Sequence, residues 1–146
     1  MTTIHRHAIT PYSTGQMYAI VEDIAAYPDF LPWCRSAAIL DREQDVVTAR
    51  LELAKGSVHK TFTTCNRSMP GKMIEVRLLE GPFHHLEGFW RFEALGESAC
   101  KVSLDLDFEF KNRMVGMVVG PVFNPVANSL VDSFCKRADE LYGARR

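Results

Sequence analysis

The segment 102–110, VSLDLDFEF, alternates apolar and polar residues without interruption. Successive side chains of an extended chain point to opposite faces, so this pattern predicts a β-strand with one buried face and one solvated face. The buried face carries two phenylalanines and three aliphatic residues and no titratable group. The element that covers this strand, and anything held between the two, must therefore be apolar.

The C-terminal part of the chain supplies a helix for that role. Asn124 followed by Pro125 resembles an N-cap with proline at the first helical position, which predicts a helix start. Gly143 is the predicted stop. Residues 114–123 are expected to form a kinked forward extension of this helix or a separate helical turn, with a hinge near residues 121–125. One apolar stripe then follows at helical spacing: Val126, Leu130, Phe134, Ala138 and Leu141.

The rest of the chain reads as a first strand, a short helix and further strands. Residues 3–9 are the first strand, Ser13 is the N-cap of a helix reaching Ala25, and prolines interrupt residues 27–34. Short polar breaks separate the later strands, which favours sequential antiparallel pairing. The predicted spans are 36–40, 46–54, 58–65, 72–80, 86–95 and 99–110. No repeat or linker interrupts the pattern, so residues 1–146 are predicted to form one domain.

Composition limits the classes of function. The 146 residues carry 17 Lys and Arg against 18 Asp and Glu, a formal charge of -1, which predicts no bulk attraction to nucleic acid and no DNA partner. No apolar segment near the N-terminus resembles a secretory signal, and the longest apolar run is far shorter than the ~20 residues that span a bilayer. We therefore expect a cytoplasmic protein whose four cysteines are free thiols.

Three stretches narrow the interpretation: YPDFLPWC at 27–34, EGPFHHLEGFWRF at 80–92, and the pair VSLDLDFEF and SFCKRADELYG. The order of elements resembles the α+β helix-grip (START/Bet v 1-like) fold, a curved antiparallel sheet of about seven strands wrapped around a long C-terminal helix. The stretches themselves are similar to those of the coenzyme-Q-binding START-domain family of the polyketide-cyclase-like superfamily. That family also contains the bacterial ribosome-association toxin.

The resemblance implies a binding protein rather than an enzyme. It implies non-catalytic binding of ubiquinone or a related polyprenyl lipid in an apolar tunnel, supporting respiratory electron transport, with peripheral contact at the inner face of a bacterial respiratory membrane and no covalent cofactor. One alternative is an interaction protein that binds the large ribosomal subunit and blocks subunit joining; another, on fold analogy alone, is a polyketide or aromatic cyclase. The residues expected to line the tunnel are Trp33, Phe83, Leu86, Trp90, Phe108, Val118, Val122 and Phe123.

The remaining candidate sites are weaker. His5 and His7 share one strand face at a spacing that could hold a metal, but no third ligand is near in sequence, so we expect no metal site. At most one of His84 and His85 can enter a cavity, because adjacent strand residues point to opposite faces. No nucleophile elbow or phosphate-binding loop is present in the sequence. A local basic patch is possible from Arg67, Lys72, Arg91, Lys111 and Arg113.

Overall fold

The computed structural model describes residues 1–143, which form an antiparallel sheet and the helices that cover it. The strands of this part of the chain are β1 (Thr2–Thr10), β2 (Cys34–Glu43), β3 (Val46–Lys55), β4 (Val58–Met69), β5 (Met73–Glu80), β6 (Phe83–Ala94) and β7 (Cys100–Phe110). The helices are α1 (Thr14–Glu22) and α2 (Arg113–Ala138), with a 3₁₀ helix at Ile24–Asp29 and a π-helical end at Asp139–Gly143. The strand order β1-β7-β6-β5-β4-β3-β2 confirms the predicted meander and the α+β helix-grip fold.

The alternating segment at 102–110 lies in the middle of β7, between β1 and β6. Val102, Leu104, Leu106 and Phe108 are all buried, while the residues between them are partly exposed. The predicted division into a buried and a solvated face is therefore confirmed. This buried face forms the floor on which α2 packs.

The first helix begins as its sequence indicates. Ser13 adopts an extended conformation, its side chain accepts from the Gln16 backbone N–H, and the Gln16 side chain accepts from the Ser13 N–H. This reciprocal capping satisfies two donors that the first turn leaves unpaired. The proline-containing stretch then forms the short 3₁₀ helix, as expected for a chain that cannot continue as a long α-helix.

The predicted start of the C-terminal helix at Asn124 is wrong. The α2 helix begins at Arg113, with Asn112 as the N-cap whose side chain accepts from the Val115 N–H. Residues 114–123 are thus the forward extension, and both prolines lie inside one helix. The helix continues because Pro121 and Pro125 lie on its exposed face, where carbonyl groups that lose their intrahelical donor can bond to water. Gly143 ends the described residues, so the predicted stop there cannot be separated from the chain beyond it.

The sheet is incompletely paired where β5 turns into β6. Residues Met73 to Arg77 pair with Glu87 to Arg91, whereas the end of β5 and the start of β6 have no partner residues in each other. Gly81 lies at this turn with φ of +155°, and a Cβ there would lie 2.6 Å from the Phe62 Cβ. The turn therefore requires glycine, and its close approach to β4 closes this corner of the sheet.

Candidate functional site

An apolar cavity of about 100 Å³ lies between the concave face of the sheet and α2. The segment before β2 contributes Ile24, Tyr27 and Trp33, and α2 contributes five residues from Phe123 to Phe134. Strands β3 to β7 supply the remaining wall: Ala49, Leu51, Phe62, Thr64, Asn66, Val76, Leu86, Gly88, Trp90, Leu104 and Leu106. The cavity is therefore the space that the curvature of the sheet leaves above its own apolar face.

Four of the eight residues predicted to line a tunnel surround this cavity: Trp33, Leu86, Trp90 and Phe123. Phe83 and Phe108 are buried beside it, in an aromatic cluster described below. Their role in binding a ligand stays a prediction.

The remaining two predicted residues lie on α2 outside the cavity wall. Val122 is half-buried, and Val118 is 55% exposed, so the prediction for Val118 is wrong. On a helix of 3.6 residues per turn, Val119 and Phe123 face the sheet, and Val118 is rotated by about 100° away from them.

Aromatic contacts close the cavity at two ends. At the end where β6 begins, the rings of Phe83, Phe108 and Phe123 pack edge to face with centroids 4.8 to 6.2 Å apart, and Phe62 and Phe110 join them. At the other end, Phe134 makes edge contacts with Tyr27, Phe30 and Trp90. Both clusters are rigid, well-packed groups, so the free volume is confined to the space between them.

A few polar atoms face this apolar space. The Trp33 Nε1–H is buried and has no hydrogen-bond partner among residues 1–143. Thr64 and Asn66 lie on the β4 wall, where the Thr64 hydroxyl donates to the Asn66 Oδ1 at 3.0 Å. An unpaired buried donor costs free energy, and a ligand with a carbonyl oxygen could recover that cost.

The electrostatics of the cavity do not favour acid–base catalysis. Its wall contains no carboxylate, histidine, lysine or arginine, and the titratable side chain it does contain, Tyr27, is held neutral because burial raises its pKa. The Tyr27 hydroxyl is already engaged, since it donates to the Val21 carbonyl. General acid–base chemistry needs a group that gains and loses a proton near neutral pH.

The histidines singled out in the sequence lie elsewhere. His84 is exposed, His85 is half-buried, and neither lines the cavity. His5 pairs with Asp105 on the solvated side, and no group of three or more potential metal ligands is found within residues 1–143. These imidazoles therefore have no structural connection to the cavity.

An exposed Ser36–Glu52–His59 chain on β2, β3 and β4 resembles a catalytic triad in composition only. Hydrogen bonds from Ser36 and His59 hold the pKa of the Glu52 carboxyl below its usual range. The carboxylate lies between the hydroxyl and the imidazole, so the histidine cannot take the serine proton. The arrangement cross-links three strands and does not activate a nucleophile.

The predicted basic patch divides into two groups. Arg67, Lys72 and Arg91 lie near the β4–β5 turn, where Arg91 pairs with Asp105. Lys111 lies at the other end of β5, where its backbone N–H donates to the Pro82 carbonyl, and Arg113 follows it. The eight residues of β5 separate the two groups by about 25 Å.

Several wall residues were not predicted. Leu104 and Leu106 lie on the face already recognised as buried, and Leu130 and Phe134 belong to the recognised helical stripe, so periodicity could have found them. Thr64 and Asn66 were missed because polar residues on a buried face do not stand out by hydrophobicity. Gly88 carried no signal: it is required because a Cβ there would lie 3.1 Å from the Leu106 Cδ1.

A sheet wrapped around one long helix, with an apolar cavity between them, defines the helix-grip class of ligand-binding and cyclase folds. The Zhui aromatase/cyclase of a Streptomyces species has this fold, with a TM-score of 0.84 over 94% of this chain and 93% of that one. At 18% identity the likeness concerns the fold alone. The family model "Polyketide cyclase / dehydrase and lipid transport" matches residues 10–135, and the chain belongs to that family.

Relatives with curated names divide into two groups by similarity. The ribosome association toxin RatA of Pseudomonas aeruginosa is 45% identical over 97% of this chain and 99% of its own length. The protein of the same name in Escherichia coli is 41% identical over 99% of this chain and 92% of its own. A mitochondrial coenzyme Q-binding protein of Xenopus laevis, homolog B, is 29% identical over 90% of this chain and 56% of its own length. None of these names describes an enzyme.

Proposed function

We propose that this protein acts by associating with the ribosome, by binding the large subunit and hindering its joining to the small one. The observation that carries the proposal is similarity along nearly the whole chain to the toxins of Pseudomonas aeruginosa and Escherichia coli, at 45% and 41% identity. Similarity to the coenzyme Q-binding relative is lower, at 29%. The proposal places the protein in the cytoplasm, where ribosomes are found.

The size of the cavity favours this proposal over lipid storage. Pockets for drug-sized ligands usually measure roughly 300–1,000 Å³, and the cavity here measures about 100 Å³. A polyprenyl tail would have to separate the sheet from α2 before it could enter. Ribosome association needs only the outer surface and makes no such demand on the core.

The charge distribution indicates where ribosomal RNA would bind. With a formal charge of -1, attraction to phosphate must come from a local group of cations. Arg67 and Lys72 are exposed beside the β4–β5 turn, and neither forms an ion pair with another described residue. We expect this end of the sheet to contact RNA, with Arg91 adding a third cation that Asp105 partly neutralises.

Sedimentation with purified ribosomal subunits tests the proposal. We expect the protein to travel with the large subunit in a sucrose gradient and to lower the yield of 70S particles when the two subunits are mixed. The R67Q/K72Q variant should bind more weakly, and the slope of log affinity against log salt should fall by ~1 to 2. The matched control K111Q/R113Q removes the same charge from the opposite end and should leave binding unchanged.

Two results would contradict the proposal. Failure to travel with either subunit at low salt would refute ribosome association itself. Tight binding that is equally insensitive to salt and to both charge variants would instead point to contact with a ribosomal protein and refute the assigned surface.

A second candidate, binding of a quinone ring, is favoured by one observation. The Trp33 Nε1–H is a buried donor without a protein partner, and a quinone carbonyl is an acceptor of suitable chemistry. The ring of ubiquinone or a similar isoprenoid could reach this donor if the cavity widened modestly. Thr64 and Asn66 are on the same wall and offer a second polar contact.

A short-chain ubiquinone analogue tests this second candidate without the tail. The indole N–H resonance of Trp33 should shift in a saturable manner during an NMR titration, while that of Trp90 serves as an internal reference. Extraction of the purified protein followed by mass spectrometry checks for a lipid acquired in the cell. A Trp33 resonance that stays fixed at millimolar analogue, with no lipid recovered, would exclude quinone binding at this site.

A further inference from the structure

The first half of α2 presents an apolar face to solvent. Met114, Met117 and Val118 are 75%, 72% and 55% exposed, and Pro121 and Pro125 are exposed as well. These five positions follow a spacing of three, four, seven and eleven residues from the first, so they share one side of the helix. We refer to them as the apolar stripe.

The apolar stripe belongs to an unusually uncharged segment. No charged residue occurs between Arg113 and Asp132. The most apolar 18-residue window of the helix has a mean hydropathy of 1.4, and only 33% of it is buried within the protein. Surface segments of soluble proteins normally interrupt such a face with charges, so this one is a candidate contact surface.

The opposite side of the same helix is fixed to the fold. Val119, Phe123 and Val126 are buried against the sheet. On the first strand, the Arg6 guanidinium donates to the Asn128 Oδ1 at 3.0 and 3.2 Å. A helix held in this way can lie along a surface but cannot cross a bilayer without dismantling the core.

Cations lie at one end of the apolar stripe. Lys111 and Arg113 immediately precede it, and they share a surface depression with the N-terminal residue Met1. Lys111 also borders the neighbouring depression together with Lys60. Glu109 is the carboxylate of the first depression, so cations outnumber acidic groups there. Exposed apolar residues beside such a group match the chemistry of an anionic lipid surface, where aliphatic side chains enter the acyl boundary and cations meet phosphate.

We propose that the apolar stripe docks the protein reversibly on membranes that contain anionic phospholipid. RNA fits the stripe less well, because phosphate and base contacts do not require exposed methionines. A second copy of the chain would bring the same cations and offer them no complementary charge. The inference is independent of the proposed ribosome association and uses the opposite end of the sheet.

Vesicle flotation tests the proposal with the intact protein. We expect binding to vesicles of phosphatidylcholine with phosphatidylglycerol, and little binding to phosphatidylcholine alone. Removing two methionines with M114Q/M117Q should weaken binding by about tenfold or more, since their side chains no longer bury apolar surface. K111Q/R113Q should weaken binding by roughly tenfold at low salt and by less at high salt.

The matched control is M69Q, since Met69 is 52% exposed beside the other cationic group and lies outside the stripe. This variant should bind vesicles normally. Fluorescence gives an independent check: M117W should be quenched by brominated lipids, whereas M69W should not. All these positions are exposed, so the variants should fold, and circular dichroism confirms it.

Three outcomes would overturn the proposal. Absence of vesicle binding at every lipid composition is the first, and equal binding by M114Q/M117Q is the second. The third is a wild-type dimer in light scattering that M117Q converts to a monomer, which would assign the stripe to self-association. A loss of ribosomal subunit binding in M114Q/M117Q, without vesicle binding by the wild type, would assign it to the ribosome.

Discussion

Trp90 forms part of the cavity wall and contacts Phe134 edge to face at 5.1 Å. Truncation of a buried aromatic residue typically costs ~3 to 5 kcal/mol, and the cost depends on how many packing contacts are lost. One side of Trp90 faces free volume, so we expect Trp90→Ala to lower the free energy of unfolding by about 3 kcal/mol. Urea denaturation measures this value. A loss of ~5 kcal/mol would indicate that the surroundings of Trp90 are packed without free volume.

The thiols of Cys34 and Cys135 are expected to react slowly at neutral pH. Burial raises the pKa of each to about 11, and only the thiolate is nucleophilic. Because the raised pKa lies above that of a free cysteine, each thiolate fraction should increase up to about pH 11. Alkylation rates from peptide mass spectrometry should therefore still rise between pH 9 and 10.5. A plateau by pH 9 would contradict the assigned burial.

The same shift has a consequence for stability. The folded state holds these two protons more tightly than the unfolded chain, whose thiols ionise near pH ~8.5. Stability contributed by the neutral thiols is present below that pH and is lost as pH rises toward 11. Removing one of these thiols with C135A should flatten the decline over this window, as thermal unfolding at several pH values would reveal.

At the scale of elements, α2 combines a loosely held half with a well-packed half. Two prolines each remove an intrahelical hydrogen bond between residues 121 and 125. Beyond them, Val131, Phe134 and Ala138 are fully buried. We expect faster amide hydrogen exchange at residues 115–123 than at residues 130–138, because local opening of the first half costs less free energy. Equal protection of the two segments would refute this division.

Pro121→Ala isolates the cause. Pro121 is exposed, so its replacement creates no void and restores a donor for the Met117 carbonyl. Exchange at residues 117–123 should slow in this variant, while the second half of the helix is unaffected. Any widening of the cavity by movement of the first half should become less frequent for the same reason.

Prediction from sequence succeeded for elements with a strict period and failed where two signals competed. The alternation in β7 and the Ser13 cap determined their structures locally, and both were confirmed. At Asn124-Pro125, a helix-start signal occurred inside a longer helix, and it misled because exposure of the prolines is a tertiary property. Val118 was misassigned for a related reason: its rotation about the axis depends on which residues the sheet contacts.

For the whole molecule, the order of strands followed from short breaks and antiparallel pairing. The small volume of the cavity did not, because periodicity identifies an apolar face but does not reveal how closely a helix packs on it. The outer surface was also beyond prediction: the five basic residues are separated by the length of β5, which only the register establishes. Function at either end of the sheet is therefore a question of geometry rather than composition.

The pairing of the first strand with the last also determines when the molecule can fold. His5 on β1 contacts Asp105 on β7, 100 residues further along the chain. At a synthesis rate of ~5 to 20 residues per second, β1 must wait roughly 5 to 20 s before its partner is made. Its apolar side chains Ile4 and Ala8 have no sheet to pack on during that interval. Refolding of the complete chain should accordingly take milliseconds to seconds, the range for folds dominated by distant pairings, and stopped-flow dilution from urea would measure it.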